Sequence, residues 1–264
     1  MGGTLRVGVV GAGKISGQYS STLARLSGLP VTAVADLDAA RARDLAGRHP
    51  EARAVPLDTL LTADDVDVVL NLTIPAQHAP VALAAIAAGK HVYGEKPLAA
   101  TGADGLAVVS SANAAGVRAA CAPDTVLGTG VQTARAAVDA GLIGVPHSAT
   151  AFMTTPGHER WHPDPEFYYL PGGGPLFDMG PYYLTALVHL LGPVERVVGM
   201  SGRPRTERVI GDGPRAGTAF GVEIDTHVSG VLRHASGVLT TLIMSFDVWA
   251  THLPWIEVYG ATGS

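Results

Sequence analysis

The first 122 residues constrain the fold more than any other part of the chain, because short β-branched runs alternate there with alanine-rich stretches of helical length. The runs are "LRVGVV", "VTAVAD", "VDVVLNL", "HVYG" and "VRAAC". Between them lie a helix from about Lys14, a helix through "AARARDLAG", a helix "QHAPVALAAIAAG" and one over 103 to 115. Strands joined by helices of about 10 to 15 residues imply βαβ units and a parallel sheet. The centres of the runs read as continuous apolar stretches, as strands do when helices cover both faces. An α/β domain is expected over 1 to 122.

After Cys121 the rhythm changes. A helix "TGVQTARAAVDAGLIG" leads to a strand near 146 to 155, a Pro- and Gly-rich loop to about 173, and a helix from Gly174 to Leu191. Strands follow with little helix, and "VEIDTHVSGVLRHASGVLTTLIMSFDV" alternates in polarity around the turn "HASG", the pattern of a hairpin. The expectation for 123 to 264 is an α+β domain with a mainly antiparallel, open sheet.

Several function classes are excluded at this stage. A formal charge of -5 with only 16% charged residues offers no basic stripe for a polyphosphate, so nucleic acid is not an expected partner. The longest apolar stretches break well before the roughly 20 residues that span a bilayer, and the N-terminus lacks a signal-peptide pattern. No membrane partner and no export are expected. The single Cys121 rules out an internal disulfide framework and suits the cytoplasm.

The chemistry begins at "VGVVGAGKIS", where Gly11 and Gly13 end the first strand and open a helix. Glycine there lets the backbone turn tightly and approach a pyrophosphate at the helix N-terminus. Ser16 stands at the third glycine position of G-x-G-x-x-G, still small enough for close helix–strand packing. Asp36 follows the second strand, where a carboxylate binds the ribose hydroxyls of an adenosine, completing a Rossmann dinucleotide fingerprint. The same carboxylate repels a 2′-phosphate and Leu37 follows it, so NAD is expected over NADP; Arg41 and Arg43 on the next helix soften that preference.

In "AAGKHVYGEKPLAAT" a strand runs directly into Glu95, Lys96 and Pro97, which aims Lys96 at the crevice beyond the carboxyl ends of the strands. Together with G-x-G-x-I-S, "TIPAQH", "GLIGVP" and "GGGPLFDMGPYYLTALVHLLGP", in that order, this resembles the glucose-fructose oxidoreductase, inositol 2-dehydrogenase and rhizopine-catabolism (Gfo/Idh/MocA) family over nearly the whole chain. The resemblance implies that Lys96 is the catalytic lysine and that Pro97 is its proline, commonly cis. It implies that Gly11, Gly13, Lys14, Ile15, Asp36, Thr73, Pro75, His78, Glu95 and Lys96 bind the cofactor, and that Asp178 is the acid on the second-domain helix. Inositol dehydrogenases carry His four residues on; Tyr182 stands there, as in the sugar and dihydrodiol dehydrogenase branches. Asp124, Trp161, His162 and Tyr168 join Lys96, Asp178 and Tyr182 as expected substrate contacts.

One motif points elsewhere: His158, Glu159 and His162 in "TTPGHERWHPDPEFYY" spell H-E-x-x-H, the helix-borne ligand pair of zinc peptidases. Pro156 and Gly157 precede it and Pro163 and Pro165 follow, leaving room for about one helical turn. No metal site is expected. The stretch reads as an active-site loop with Trp161, His162 and Tyr168 facing a sugar.

The resulting expectation is a cytoplasmic NAD(H)-dependent oxidoreductase that interconverts a secondary alcohol and a ketone on a sugar or cyclic polyol. The alternatives are an NAD-dependent glycosidase of the same fold and a dinucleotide and sugar sensor without turnover. The family's chains continue past "IEVYGATG"; either the sequence is incomplete or a shorter second domain is stabilised by dimer or tetramer formation through its sheet.

Overall fold

In the computed structural model, which describes residues 4–264, the chain separates into two units, Met1–Ala122 and Pro123–Ser264. The first runs β1 (Val7–Val10), α1 (Ser16–Leu23), β2 (Val31–Ala35), α2 (Ala39–Ala46), β3 (Arg53–Ala54), α3 (Leu57–Thr62), β4 (Val68–Asn71), α4 (Pro75–Ala87), β5 (His91–Gly94), α5 (Gly102–Ala115) and β6 (Ala119–Cys121). Its six strands lie in the order β3-β2-β1-β4-β5-β6, with every neighbouring pair parallel. This is the doubly wound arrangement, and its strand order reverses between β1 and β4, where the crevice for a ligand opens. β1 and β2 are buried along their full length. Val69, Val92 and Val108 fill the core on one side; Val9, Val34 and Leu45 fill it on the other. The segment β3–α3 has no counterpart in the sequence reading, because two strand residues and a six-residue helix are too short to display a period.

The second unit opens with a 3-10 turn, Asp124–Leu127, and α6 (Thr129–Asp139). Next come β7 (Pro146–Thr154), 3-10 turns at His158–Arg160 and Glu166–Tyr169, α7 (Gly174–Asp178) and α8 (Gly180–Leu191). The remaining strands are β8 (Val194–Gly202), β9 (Glu207–Val209), β10 (Ala219–Gly221), β11 (His227–His234), β12 (Leu239–Ser245) and β13 (Ile256–Gly260). Five strands form a sheet in the order β13-β7-β12-β11-β8, antiparallel except where β12 meets β7; β9 and β10 make a separate ribbon. The β11–β12 hairpin closes as the "HASG" pattern requires, with His234 N–H donating to Val238 O and Gly237 at φ 88. Leu187, Leu190 and Leu191 of α8 share one core with Ala151, Leu232, Leu242 and Met244 of the sheet. By strand register Val198, Met200 and Val231 point to the opposite face, where they are exposed.

Two helices depart from expectation. The segment Gly174–Leu191 is not one helix: α7 ends at Asp178, Met179 takes φ -107 and ψ -23, and α8 starts afresh at Gly180 with Pro181 in its first turn. Proline has no N–H to bond back and its ring clashes with the carbonyl four residues earlier, so the first helix cannot continue through it. Asp178 and Tyr182 therefore sit on successive helices and not on one helical face. The helix after Cys121 stops at Asp139, short of Gly141 and Gly144, both at positive φ. Among the described residues no helix is long and apolar enough to cross a membrane.

Candidate active site

The glycine loop after β1 is shaped by its neighbours at the switch point. Gly11 has φ 97, and a Cβ there would lie 2.7 Å from the carbonyl carbon and oxygen of Leu72, so a side chain collides with backbone just beyond β4. Gly13 differs: a Cβ would meet nothing within 4 Å, leaving an open cradle. Ser16 fills the third position by burying itself and donating Oγ–H to Gly13 O at 2.7 Å. No side chain caps α1, so its first turn is open to an anion. Lys14 and Ile15 are exposed beside it.

Asp36, one residue past β2, accepts the Ala12 N–H at 2.7 Å and the Asp38 N–H at 2.8 Å, with the Arg41 guanidinium 3.4 Å away. Its carboxylate thus stands fixed at the rim of the glycine loop. A cavity of about 410 Å³ beside the loop is lined by Ala12, Gly13, Lys14, Ser16, Arg41 and Arg48 among others. An open cradle, an uncapped helix start, the Lys14 and Arg41 cations, an Arg48–Asp44 ion pair and a fixed carboxylate fit a dinucleotide.

The loops after β4 and β5 are tied together by side chains that the sequence reading did not single out or placed differently. Asn71, at the end of β4, accepts the Thr73 hydroxyl at 2.6 Å and donates to His78 O at 2.9 Å. A buried asparagine inside the apolar run "VVLNL" was the available signal. His78 is buried, and its ring nitrogens lie 2.5 Å from Pro97 O and 3.0 Å from Thr73 O. It therefore ties the loop after β4 to the E-K-P turn. Pro75 opens α4. Glu95 accepts the Tyr19 hydroxyl at 2.7 Å and the Lys96 N–H at 3.0 Å, and the Lys96–Pro97 bond is cis. Cys121 packs behind this turn, its thiol pushed up to about 11 by burial, and an unionised thiol is a packing residue.

In the second unit the H-E-x-x-H residues go separate ways. His158 Nε2 lies 2.9 Å from Asp178 Oδ2 at the end of α7, with side-chain exposures of 10% and 15%. The imidazole packs against Phe246, Tyr168 and Trp161 at centroid distances of 4.4, 4.7 and 5.2 Å. His162 lies 5.5 Å from Trp161 and 5.6 Å from Tyr168, so the structure gathers these three loop residues into one aromatic group around His158. Trp161 is exposed. Tyr168 is pushed up to about 12 by burial and, secondarily, by the Asp178 carboxylate; its hydroxyl stays a donor at neutral pH. Tyr182 is half-buried in the first turn of α8, whereas Tyr183 packs into the sheet core, where burial raises its pKa. Asp124 is exposed on the 3-10 turn that packs against α8.

A buried ion network pins this loop. Glu159 accepts from Arg208 at 2.9 Å and from the Tyr169 hydroxyl, which in turn accepts the His158 N–H at 3.0 Å. Arg208 also reaches Asp247 at 2.5 Å and Phe246 O at 3.0 Å. Buried charges persist only when paired in this way. Gly157 is obligatory because a Cβ would run into the Glu159 carboxylate and Arg208. With His158 turned to Asp178 and Glu159 to Arg208, the zinc-ligand spacing has no ligand geometry; among the described residues no three metal-ligating side chains converge.

Family models match both units: an oxidoreductase family with an NAD-binding Rossmann fold over residues 5–122, and the GFO/IDH/MocA C-terminal domain over 131–264. An inositol 2-dehydrogenase of Acidothermus cellulolyticus is 40% identical over 117 residues, a match that spans 44% of this chain and only 34% of that relative. A dTDP-3,4-didehydro-2,6-dideoxy-alpha-D-glucose 3-reductase of Streptomyces violaceoruber is 32% identical over 98% of this chain and 79% of its own length. The crystal structure of GenD2 from gentamicin A biosynthesis, in complex with NAD, superposes with a TM-score of 0.79 at 26% identity, covering 100% of this chain and 72% of that one. The chain is a member of the GFO/IDH/MocA oxidoreductase family, with an NAD-binding Rossmann domain.

Proposed function

We propose that the chain is a cytoplasmic NAD(H)-dependent oxidoreductase that interconverts a secondary alcohol and a ketone on a ring carbon of a sugar or cyclic polyol. The observation that carries this reading is Lys96, set immediately after β5 in a unit whose glycine loop and Asp36 fit a dinucleotide. The named relatives, an inositol 2-dehydrogenase and a dTDP-sugar 3-reductase, support the substrate class.

Gly11, Gly13, Lys14 and Ile15 hold the pyrophosphate and Asp36 the adenosine ribose. Thr73 and Pro75 line the nicotinamide side, with His78 and Glu95 fixing the loops that present them. When bound, NAD supplies the acceptor or donor of the hydride. The protein must then polarise the substrate oxygen and move one proton. Lys96 is assigned the first task. Tyr182 is assigned the second, with Asp178 beside the substrate hydroxyls. Trp161 offers an apolar ring face to C–H surfaces, while His162, Tyr168 and Asp124 bond hydroxyls. Assembly into dimers or tetramers is assigned to the open sheet, whose exposed Val198 and Met200 support a covered face.

Incubating the chain with NAD and a panel of sugars and polyols tests the reading. Accumulating NADH is the expected result. Release of an aglycone without NADH means a glycosidase, and binding without turnover means a sensor.

A further inference from the structure

The histidine that heads H-E-x-x-H has a partner the motif does not anticipate. Asp178 ends α7 with its side chain 15% exposed, where little water can solvate a carboxylate. Such a group needs a donor, and His158 Nε2 stands 2.9 Å from its Oδ2. The other ring nitrogen, Nδ1, is buried with no hydrogen-bond partner. The ring lies among Phe246, Tyr168 and Trp161. A proton on Nδ1 would be an unsatisfied N–H among these rings, and a buried donor without a partner is costly. The geometry therefore selects the tautomer with the proton on Nε2, donated to Asp178. The backbone of His158 is fixed as well, through its N–H to Tyr169, which is held by Glu159.

We propose that His158 is a positioning residue: through its Nε2–H it orients the Asp178 carboxylate toward the substrate. This inference rests on the reading of Asp178 as part of the sugar site. It assigns the first residue of the H-E-x-x-H stretch to the reaction without a metal, by way of α7.

Two readouts on the full chain test it. The first is independent of turnover: ¹⁵N NMR of the His158 side chain should show a protonated Nε2 and a bare Nδ1, with the slow exchange of the Nε2 proton lost in Asp178→Ala. The second compares variants on whichever panel substrate yields NADH. His158→Leu should lower kcat about tenfold or more, the scale of losing a hydrogen bond to a charged group. The KM for NAD should stay unchanged. His158→Gln, whose side-chain amide can donate from the same place, should restore most of that loss. A proton on Nδ1 in the parent, wild-type kcat in His158→Leu, or a Gln variant no better than Leu would each overturn the proposal. If no panel substrate turns over, the dehydrogenase reading fails by itself, and the NMR result still decides whether the pair exists.

Discussion

Replacing Arg208 by Met tests whether the candidate substrate loop is held by buried charge. The Arg208 side chain is 0% exposed and bridges Glu159 at 2.9 Å and Asp247 at 2.5 Å, whose side chains are 6% and 11% exposed. Methionine matches much of its length and none of its charge. Asp247 keeps the Thr226 hydroxyl at 2.6 Å and Arg205 at 3.1 Å, but Glu159 is left with the Tyr169 hydroxyl. Breaking a buried ion pair by removing one partner costs about 3–5 kcal/mol, because the other charge remains desolvated. The expected loss for Arg208→Met is in that range. Glu159→Gln in the same background should return about 1–3 kcal/mol, since the amide accepts from Tyr169 without a charge to desolvate. Urea unfolding followed by tryptophan fluorescence reads the right unit, because Trp161, Trp249 and Trp255 are the only tryptophans and all lie in Pro123–Ser264. A single-variant cost below about 1 kcal/mol, or strictly additive effects, would refute the claim that the network anchors the loop.

Further outcomes follow from the same geometry. Asp36→Ala should weaken NAD binding by about tenfold or more while weakening NADP less, because it removes charge-assisted bonds to ribose and releases Arg41 from its 3.4 Å contact; titration of both dinucleotides measures this. Asp67 is held at about 2 by hydrogen bonds from Arg6, below the ordinary 3.8. A depressed carboxyl stabilises the fold above its unfolded pKa, so the stability gap between the parent and Asp67→Asn should be full at neutral pH and vanish as pH falls from about 4 to about 2. Tyr182→Phe should lower kcat by about 100-fold while His162→Asn mainly raises KM; the reverse pattern in steady-state kinetics would move the proton acceptor onto the loop.

What the sequence disclosed depended on whether a feature was local. The glycine turn, the strand ending in Asp36 and the E-K-P turn each declare themselves within a few residues, and the prolines around His158 limited that segment to the single 3-10 turn observed. Pro181 carried the same kind of signal, yet the apolar run around it masked the break between α7 and α8. Partners far apart in sequence were invisible: nothing near His158 announces Asp178, 20 residues on, or ties Glu159 to Arg208, 49 residues on. The resemblance implied a cofactor-lining place for His78; that both its ring nitrogens are turned to backbone carbonyls is visible only in the packing.

The central claim is that Lys96 performs chemistry on an alcohol or ketone brought to bound NAD. Its most direct test pairs NAD binding with NADH formation in Lys96→Ala, using the full chain and the best substrate of the panel. NAD affinity should stay close to that of the parent while turnover falls to background. A variant that binds NAD and keeps most of its kcat would contradict it.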